Sequence, residues 1–532
     1  MTGNSTSAPS ILRALASITS PSGFPYASNG PLFRDGQFGR DSLETAEDLL
    51  ELRPEIARAV ILRLAELQGD RYDPRTGEEP GKIHHEYRAL SMGRTPVAEE
   101  SVAIFRSLAH EWHLAETDEE LLALDELANY CTVDATPLYV RLVDRYCARF
   151  GPDILDQTYV PHRTAFEGTR GTIRGAVCAA IGWITHLLES SDLGLLEWDR
   201  QAPWAHRFQA WKDGATSYLH ADGTLANFNG PMASIEVQGL TYDALQAALT
   251  LPLGDGAPGS HHIAALAARL QRQTLELFWM PDEQYFAMAL DRDPHTGDVR
   301  PLRVVTSNPG ALLDSSIFDS LAADERERYV RPVVTRVFSD ELLTSVGIRC
   351  TCRSGKDLLA YPAYQSSYTV WHKETIDVAK GLRRQGFPHL ADELERRLIN
   401  VVNLAGPREF IYVLPDGRFG PIPGASGKQT VRIRSTNIPE NEQAWTVAGT
   451  VAAKVRAGRR NPARLPPPGE LERALLDHAG VTTLFRTVAE VLQTRQAAPV
   501  FIVETARGVE AEVSYVHNHL ADVAPQISQP LR

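Results

Sequence analysis

The sequence predicts an all-α protein, a toroid of about a dozen helices decorated by small β-hairpins, and three observations carry that prediction. A 3.6-residue apolar period recurs through the chain between residues 40 and 456. Strand signals are confined to short stretches. Polar, aromatic and glycine residues gather at the helix ends rather than along the helices, which points to loops from the whole chain meeting at one end of a helical body.

Residues 1–37 read as an N-terminal arm or cap. From there, Leu43, Ala46, Leu49 and Leu50 share one helical stripe, and Pro54 fits the first position of a second helix, "RPEIARAVILRLAELQ". The same period predicts helices near 97–114, 134–150, 172–189, 203–219, 232–250, 261–279, 309–337, 371–385, 388–404 and 440–456. "QYFAMALDRDPHTGDVRPLRVV" (284–305) reads as a hairpin around an Asp-Pro-His-Thr-Gly turn, and "EFIYVLPDGRFG" (409–420) as a second extended piece. "RLPPPGE" (464–470) is a Pro-rich joint; beyond it a helix is predicted over about 471–493, then the alternating "PVFIVETARGVEAEVSYV". The expected division is an arm (1–37), a helical domain (38–460) and a small C-terminal extension (461–532).

Composition narrows function. With 43% hydrophobic and 23% charged residues the chain is an ordinary globular protein. Its longest apolar runs, such as "AVCAAIGWI", are far too short for a membrane span. A formal charge of −13 argues against nucleic acid or an anionic membrane as partner and is compatible with a neutral carbohydrate. The N-terminus lacks a basic region ahead of its short apolar stretch, and the five cysteines are sparse and odd in number, so a cytoplasmic protein with reduced thiols is expected. Cys350 and Cys352 have no second Cys or His pair at zinc spacing, and the adjacent His84 and His85 point apart, so neither a metal nor a cofactor is expected. No pattern specifies an oligomeric state. No strand followed by G-x-G-x-x-G and no P-loop supports nucleotide binding.

The polar clusters are "FGRDS" (38–42), "EPGKIHHEYR" (79–88), "VDATPLY" (133–139), the long "AWKDGATSYLHADGTLANFNGPMASIEVQG" (210–239), "SNPGALL" (307–313), "YPAYQSSYTVWHKE" (361–374), "REFIYV" (408–413) and "PENEQAWTVAG" (439–449). Aromatic faces beside carboxylates and guanidinium groups suit a pyranose ring, whose C–H faces stack while its hydroxyls take charged partners.

In order and spacing, "GRDS", "EPGKIHHEYR", "VDATPLYV", "WKDG…HADGTLA…EVQG…YDAL", "SNPGALL", "SYTVW" and "EQAW" resemble the amylo-α-1,6-glucosidase domain of glycogen debranching enzymes and its bacterial relatives, over residues 38–456. The resemblance implies an (α/α)6 toroid of the six-hairpin glycosidase type and an inverting exo-acting α-glycosidase, with an α-glucosidase acting on a small or branched glucoside expected first. It implies that Asp213 in "WKDG" is the general acid, with Glu236 as a competitor, and that Glu409 in "REFIYV" is the general base. Two carboxyls flanking a scissile bond are what glycoside hydrolysis requires. Arg40 and Asp41 resemble the pair that grips the innermost sugar; a structural ion pair at the helix start is the alternative. Glu86, Arg88, Asp134, Trp211, Lys212, Gln238, Trp371, Gln443 and Trp445 complete the expected substrate-binding set, although Glu86 and Arg88 could equally tie loops together and the tryptophans could be core. Where the relatives read SVWPHD, this chain has "TVWHKE" (369–374). The long N-terminal region of debranching enzymes has no counterpart before residue 38, so compact substrates are expected over glycogen. A glycoside phosphorylase on the same fold and an inactive glycan-binding protein are the alternatives.

Overall fold

Six helices of this chain are buried on almost every side, and six others show the one-sided apolar stripe of a helix that faces water; these two kinds alternate along the sequence. The protein is described from a computed structural model covering residues 8–30, 32–92, 95–162, 169–200, 205–352, 364–413, 419–420, 430–432, 439–459, 465–480 and 512–514. Fifteen α-helices occur among them: α1 (Ala8–Ser17), α2 (Gly39–Asp48), α3 (Pro54–Glu66), α4 (Glu99–Glu111), α5 (Asp118–Ala123), α6 (Ala135–Phe150), α7 (Ile173–Ser190), α8 (Ile235–Thr250), α9 (Ser260–Leu277), α10 (Asn308–Leu312), α11 (Ala323–Val337), α12 (His372–Arg384), α13 (Pro388–Ala405), α14 (Ala444–Arg459) and α15 (Glu470–Gly480).

Helices α2, α6, α8, α10, α12 and α14 pack in that order into a closed inner ring, α14 returning to α2. Helices α3, α7, α9, α11 and α13 lie outside them, and α1 completes the outer layer against α14. This is an (α/α)6 toroid. The residues read as an arm therefore supply an outer helix, with Ile11, Ala14, Leu15 and Ile18 in the main core. In α2 all eight residues from Gly39 to Ala46 are buried, whereas α13 buries Leu390, Ala391, Leu394, Leu398 and Val401 on one stripe and leaves Asp392, Glu393 and Arg396 wholly or partly exposed. Close packing of the ring demands small residues at the crossings. A Cβ on Gly449 of α14 would lie inside the Ile376 side chain of α12, and one on Gly381 of α12 would stand 2.8 Å from the backbone nitrogen of Asp314.

Local signals set many helix ends. Pro54 and Pro388 open α3 and α13, Thr172 caps α7 by accepting from the Gly175 amide at 3.1 Å, and Gly151 and Gly406, at φ 92° and 82°, follow the last turns of α6 and α13. Two predicted helices differ. Of the predicted helix 203–219, the described part, 205–219, is not helical: it runs through turns to a bridge between Leu219 and Leu225, because its polar groups take distant partners such as Ser307, Cys350 and Gln365. The span 309–337 breaks into α10, a 3-10 turn at Ser316–Phe318 and α11, since Asp243 of α8 accepts from the Ser316 amide and hydroxyl at 2.7 and 2.6 Å and holds the chain there. The hairpin over 284–305 is present, Ala289–Arg292 pairing antiparallel with Val299–Pro301. Of the predicted C-terminal helix, residues 481–493 lie outside the described residues, as does the alternating segment except Glu512–Ser514, which pairs with Thr430–Arg432. Among the described residues no helix is long and apolar enough to cross a membrane.

Short strands feed the inner helices. Gly36–Phe38 runs directly into α2 and pairs with Glu86–Ala89, which pairs in turn with Glu126–Asn129. Thr369–Trp371 runs into α12 and pairs with Phe410–Val413. The N-terminal ends of the inner helices meet, Arg40 on Asp134, Gln443 on Asp41, Asn308 on Glu236 and Lys373 on Glu44, so their positive dipole ends face one place.

Candidate active site at the N-terminal ends of the inner helices

The second residue of α2 anchors the site. Arg40 is buried and donates through Nη1 to Asp134 Oδ2 at 2.7 Å and through Nη2 to Asp213 Oδ2 at 2.9 Å. Asp134, just ahead of α6, also accepts from the Thr132 hydroxyl at 2.6 Å, so it is fixed from two sides. Of the two carboxylates on Arg40, Asp213 is the open one: its side chain is 22% exposed against 2% for Asp134. The alternative reading of Arg40 and Asp41 as an ion pair with each other is not what the contacts show. Consecutive helical residues diverge, and Asp41 instead accepts from Gln443 Nε2, at the start of α14, at 3.1 Å. Burial, with the Asp213 charge adding to it and Arg40 opposing, pushes the Asp41 carboxyl up to about 7.

Glu409 stands immediately before the strand Phe410–Val413. Its Oε1 accepts from the Tyr364 hydroxyl, and its Oε2 from the Glu440 amide at 3.1 Å. Burial is the main reason its carboxyl is pushed up to about 8; the charges of Glu440 and Asp41 add to the rise, and the bonds from Tyr364 and the Glu440 amide oppose it. The loop that carries Tyr364 also meets the Asp213 turn, where the Gly214 amide donates to Gln365 Oε1 at 3.2 Å. Arg40 Nε, Gln443 Oε1 and Trp445 Nε1 are buried here without a partner, the kind of polar residue that a stability-optimised core avoids.

Behind this rim lies an aromatic block. Trp371 is 1% exposed, stacked on Phe410 at 4.8 Å and met edge-on by Trp211 at 4.8 Å and Tyr364 at 4.7 Å. Trp445 joins it against Trp211 at 5.9 Å. Trp371 is therefore core that backs Tyr364, not a sugar platform, and Trp211 is fixed by donating Nε1 to Glu374 at 2.9 Å.

Burial and contacts bear on four more residues of the expected set. Lys212 is wholly buried; its ammonium donates to Ser307 Oγ at 3.0 Å and the Cys350 carbonyl at 2.7 Å and pairs with Glu374 at 3.1 Å, so it ties four loops together beneath the site. Gln238 is equally buried and bridges the Leu196 amide and carbonyl, both at 2.9 Å. Glu86 and Arg88 bind each other, and Arg88 also donates to the Leu32 carbonyl; of their two readings, loop-tying is the one the contacts favour. The segment "HKE" behaves likewise. His372 is buried and neutral, its pKa brought to about 3 by desolvation, and Lys373 turns inward onto Glu44 and Asp377 at 2.8 and 2.6 Å. Glu236 is buried, accepts from Asn308 at 3.0 Å and lines a small cavity of about 30 Å³ with Glu44, Asp134 and Glu374, whereas the Asp213 side chain is 22% exposed. Sequence reasoning quoted Tyr364 without selecting it: three tyrosines within 361–368 carry no period and no partner visible in one dimension.

No protein-family description and no curated protein matches the chain in sequence. Solved structures do match in fold. A GH63 mannosylglycerate hydrolase from Thermus thermophilus in complex with glucose is similar at TM-score 0.54 and 14% identity, the match covering 84% of this chain and 99% of that one. The same protein with Tris and D-glycerate matches at TM-score 0.52 and 12% identity, covering 84% and 98%. At such identities the likeness establishes the shared toroid.

Proposed function

We propose that the protein is an inverting, exo-acting α-glycosidase, an α-glucosidase on compact glucosides in the first instance, with Asp213 and Glu409 as the catalytic carboxyl pair. One observation carries the reading: two carboxyls 196 residues apart in sequence (409 − 213) border one loop of a helical toroid, Glu409 accepting from the Tyr364 hydroxyl and Asp213, held by Arg40, standing beside Gly214, whose amide donates to Gln365. A compact aglycone is supported by the neighbour whose name specifies mannosylglycerate. In the inverting reaction one carboxyl protonates the glycosidic oxygen while the other takes a proton from a water attacking the opposite face. Proton NMR of the anomeric signals in the first minutes of turnover tests this: an α-glucoside releases β-glucose first, and initial α-glucose overturns the mechanism. Running the same substrates with and without phosphate separates hydrolysis from phosphorolysis.

The resemblance assigns the acid to Asp213 and the base to Glu409. A specific observation favours the reverse, since the Glu409 carboxyl holds its proton to about 8 while Asp213 lies on the Arg40 guanidinium. The two readings differ in sign. With Glu409 as base, kcat/KM rises as pH climbs through about 8; with Glu409 as acid, it falls there. An aryl α-glucoside whose leaving group needs no protonation rescues whichever variant, Asp213→Asn or Glu409→Gln, has lost the acid.

A further inference from the structure

The N-terminal segment reaches the site through one side chain. Glu409 and Glu440 are joined reciprocally: the Glu409 amide donates to the Glu440 carbonyl at 3.0 Å, and the Glu440 amide to Glu409 Oε2 at 3.1 Å. The Glu440 carboxylate is itself held by the Ser28 hydroxyl at 2.8 Å. Around it Ser28 bridges to Gln443, the Ala444 amide donates to the Ala27 carbonyl at 2.8 Å, and Glu442 accepts from Asn29 and from the Ser17 hydroxyl at 2.6 Å. Segment 439–444 thus carries the amide that fixes Glu409 and the amide that fixes Asp41, and it is clamped by residues 17–29.

We propose that Glu440 is a positioning residue for Glu409, and that Ser28, by holding Glu440, makes the N-terminal segment part of the catalytic apparatus. The inference rests on the reading of Glu409 as a catalytic carboxyl. Groups from several elements bear on Glu409. Asp41 and Glu440 repel its ionised form, Tyr364 donates to it, and the Arg408 guanidinium is turned away onto Asn441 and the Ala405 carbonyl. Of these, Glu440 is the one whose charge is set from outside the pocket. The Ser28 bond favours its ionised form against the burial that disfavours it. Removing the Glu440 charge, or removing Ser28 so that Glu440 takes a proton more readily, acts on Glu409 in one direction: its carboxyl ionises at lower pH. Gly30 offers a third handle. A Cβ there would land on the Glu440 carboxylate, the far end of a flexible chain, so Gly30→Ala displaces that group without changing it.

The experiment is carbon-13 NMR of the full-length protein labelled at glutamate carboxyls, with Glu409→Gln assigning the Glu409 resonance, alongside pH profiles of kcat and KM. The expected result is that Glu440→Gln, Ser28→Ala and Gly30→Ala each move the Glu409 titration to lower pH, and that Glu440→Asp restores it in part. The pH limb of kcat moves with it and KM stays within about twofold. Ser28→Ala combined with Glu440→Gln shifts no further than Glu440→Gln alone, since both act through one carboxylate. An unmoved Glu409 titration in folded Glu440→Gln overturns the proposal, as does a shift from Ser28→Ala that adds to that of Glu440→Gln. The NMR titration is independent of turnover. If it shifts as expected while Glu409→Gln remains fully active, the positioning inference stands and the assignment of Glu409 as catalytic fails.

Discussion

Two groups of buried charges lie along the inner helices, one at their first residues and one a turn or two deeper, and they are balanced differently. In the deeper group Arg141 faces Glu47 at 2.7 Å, Asp314 at 3.6 Å and Asp243 at 3.7 Å, and Lys380 faces Asp377 at 2.9 Å and Asp48 at 3.2 Å. Burial there raises the Glu47 carboxyl, but Arg141, Arg145 and Lys380 outweigh it and bring it down to about 2; Asp377 is likewise held ionised against burial by Lys373 and Lys380. At the mouth, Arg40 alone answers Asp134 and Asp213, and Asp41 and Glu409 have no cation of their own and are pushed up to about 7 and about 8. In the deeper group Glu47 and Asp377 are thus held ionised by their cations, while burial raises Asp48 and Asp243 in spite of theirs. At the mouth Asp41 and Glu409 remain able to exchange a proton near neutral pH, which is what acid–base chemistry needs.

The largest expected effect breaks the upper group alone. Asp213→Asn and Glu409→Gln each lower kcat by at least about a hundredfold, the usual scale for a lost proton-transfer group, with the unfolding transition no lower than in the parent. Near-normal turnover in Glu409→Gln would move the role to another carboxyl, Glu440 being the neighbour at hand.

Arg141→Met should do the opposite. It leaves Glu47, Asp243 and Asp314 facing one another without their shared guanidinium, and loss of one partner from such a buried group costs about 3–5 kcal/mol. Denaturant unfolding measures this loss, and KM is expected to stay unchanged; a raised KM with intact stability would show that the deeper group shapes the pocket directly.

Arg40 sits at the boundary, so its variant sharpens the comparison. Arg40→Ala removes charge-assisted bonds of about 1.5–3 kcal/mol from the mouth, which appears as a tenfold or greater fall in kcat/KM exceeding any change in stability. A large fall in melting temperature with substrate affinity intact would assign Arg40 to the structural group instead.

How far this division could be read from sequence depends on which forces set it. Helix order was legible because each inner–outer pair repeats an apolar period, and four predicted spans, 134–150, 172–189, 371–385 and 388–404, match α6, α7, α12 and α13 within a residue. The Asp213, Glu409, Arg40 and Asp134 set was legible by residue type and motif order. Orientation was not. Lys212 and Asp213 are neighbours, yet one ammonium is wholly buried on Ser307, Cys350 and Glu374 while the adjacent carboxyl faces outward, and the partners that decide this lie 95 to 162 positions further on (307 − 212, 374 − 212). The same holds for Arg40, whose partners are Asp134 and Asp213 rather than the adjacent Asp41.

The subtlest expected effect concerns stability against pH, and it sets the two groups apart without any substrate. Glu409 ionises near 4.5 as a free side chain and near 8 in the folded protein. Between those values the folded chain holds a proton that the unfolded chain has lost, so this group makes the fold less stable as pH rises through the window. Glu409→Gln cannot ionise and escapes that penalty. Relative to the parent it should be progressively more stable from about pH 5 to about pH 8, by a few degrees in melting temperature at the upper end, while matching it below pH 4.5. Glu47 has the reverse sign. Its folded pKa of about 2 contributes stability that is fully present above about 4.5 and is lost as pH falls toward 2, so Glu47→Gln should be destabilised throughout the neutral range and approach the parent only in acid. Melting curves of both variants from about pH 2 to about pH 9 read the two slopes side by side; parallel curves for Glu409→Gln and the parent would show that Glu409 titrates normally.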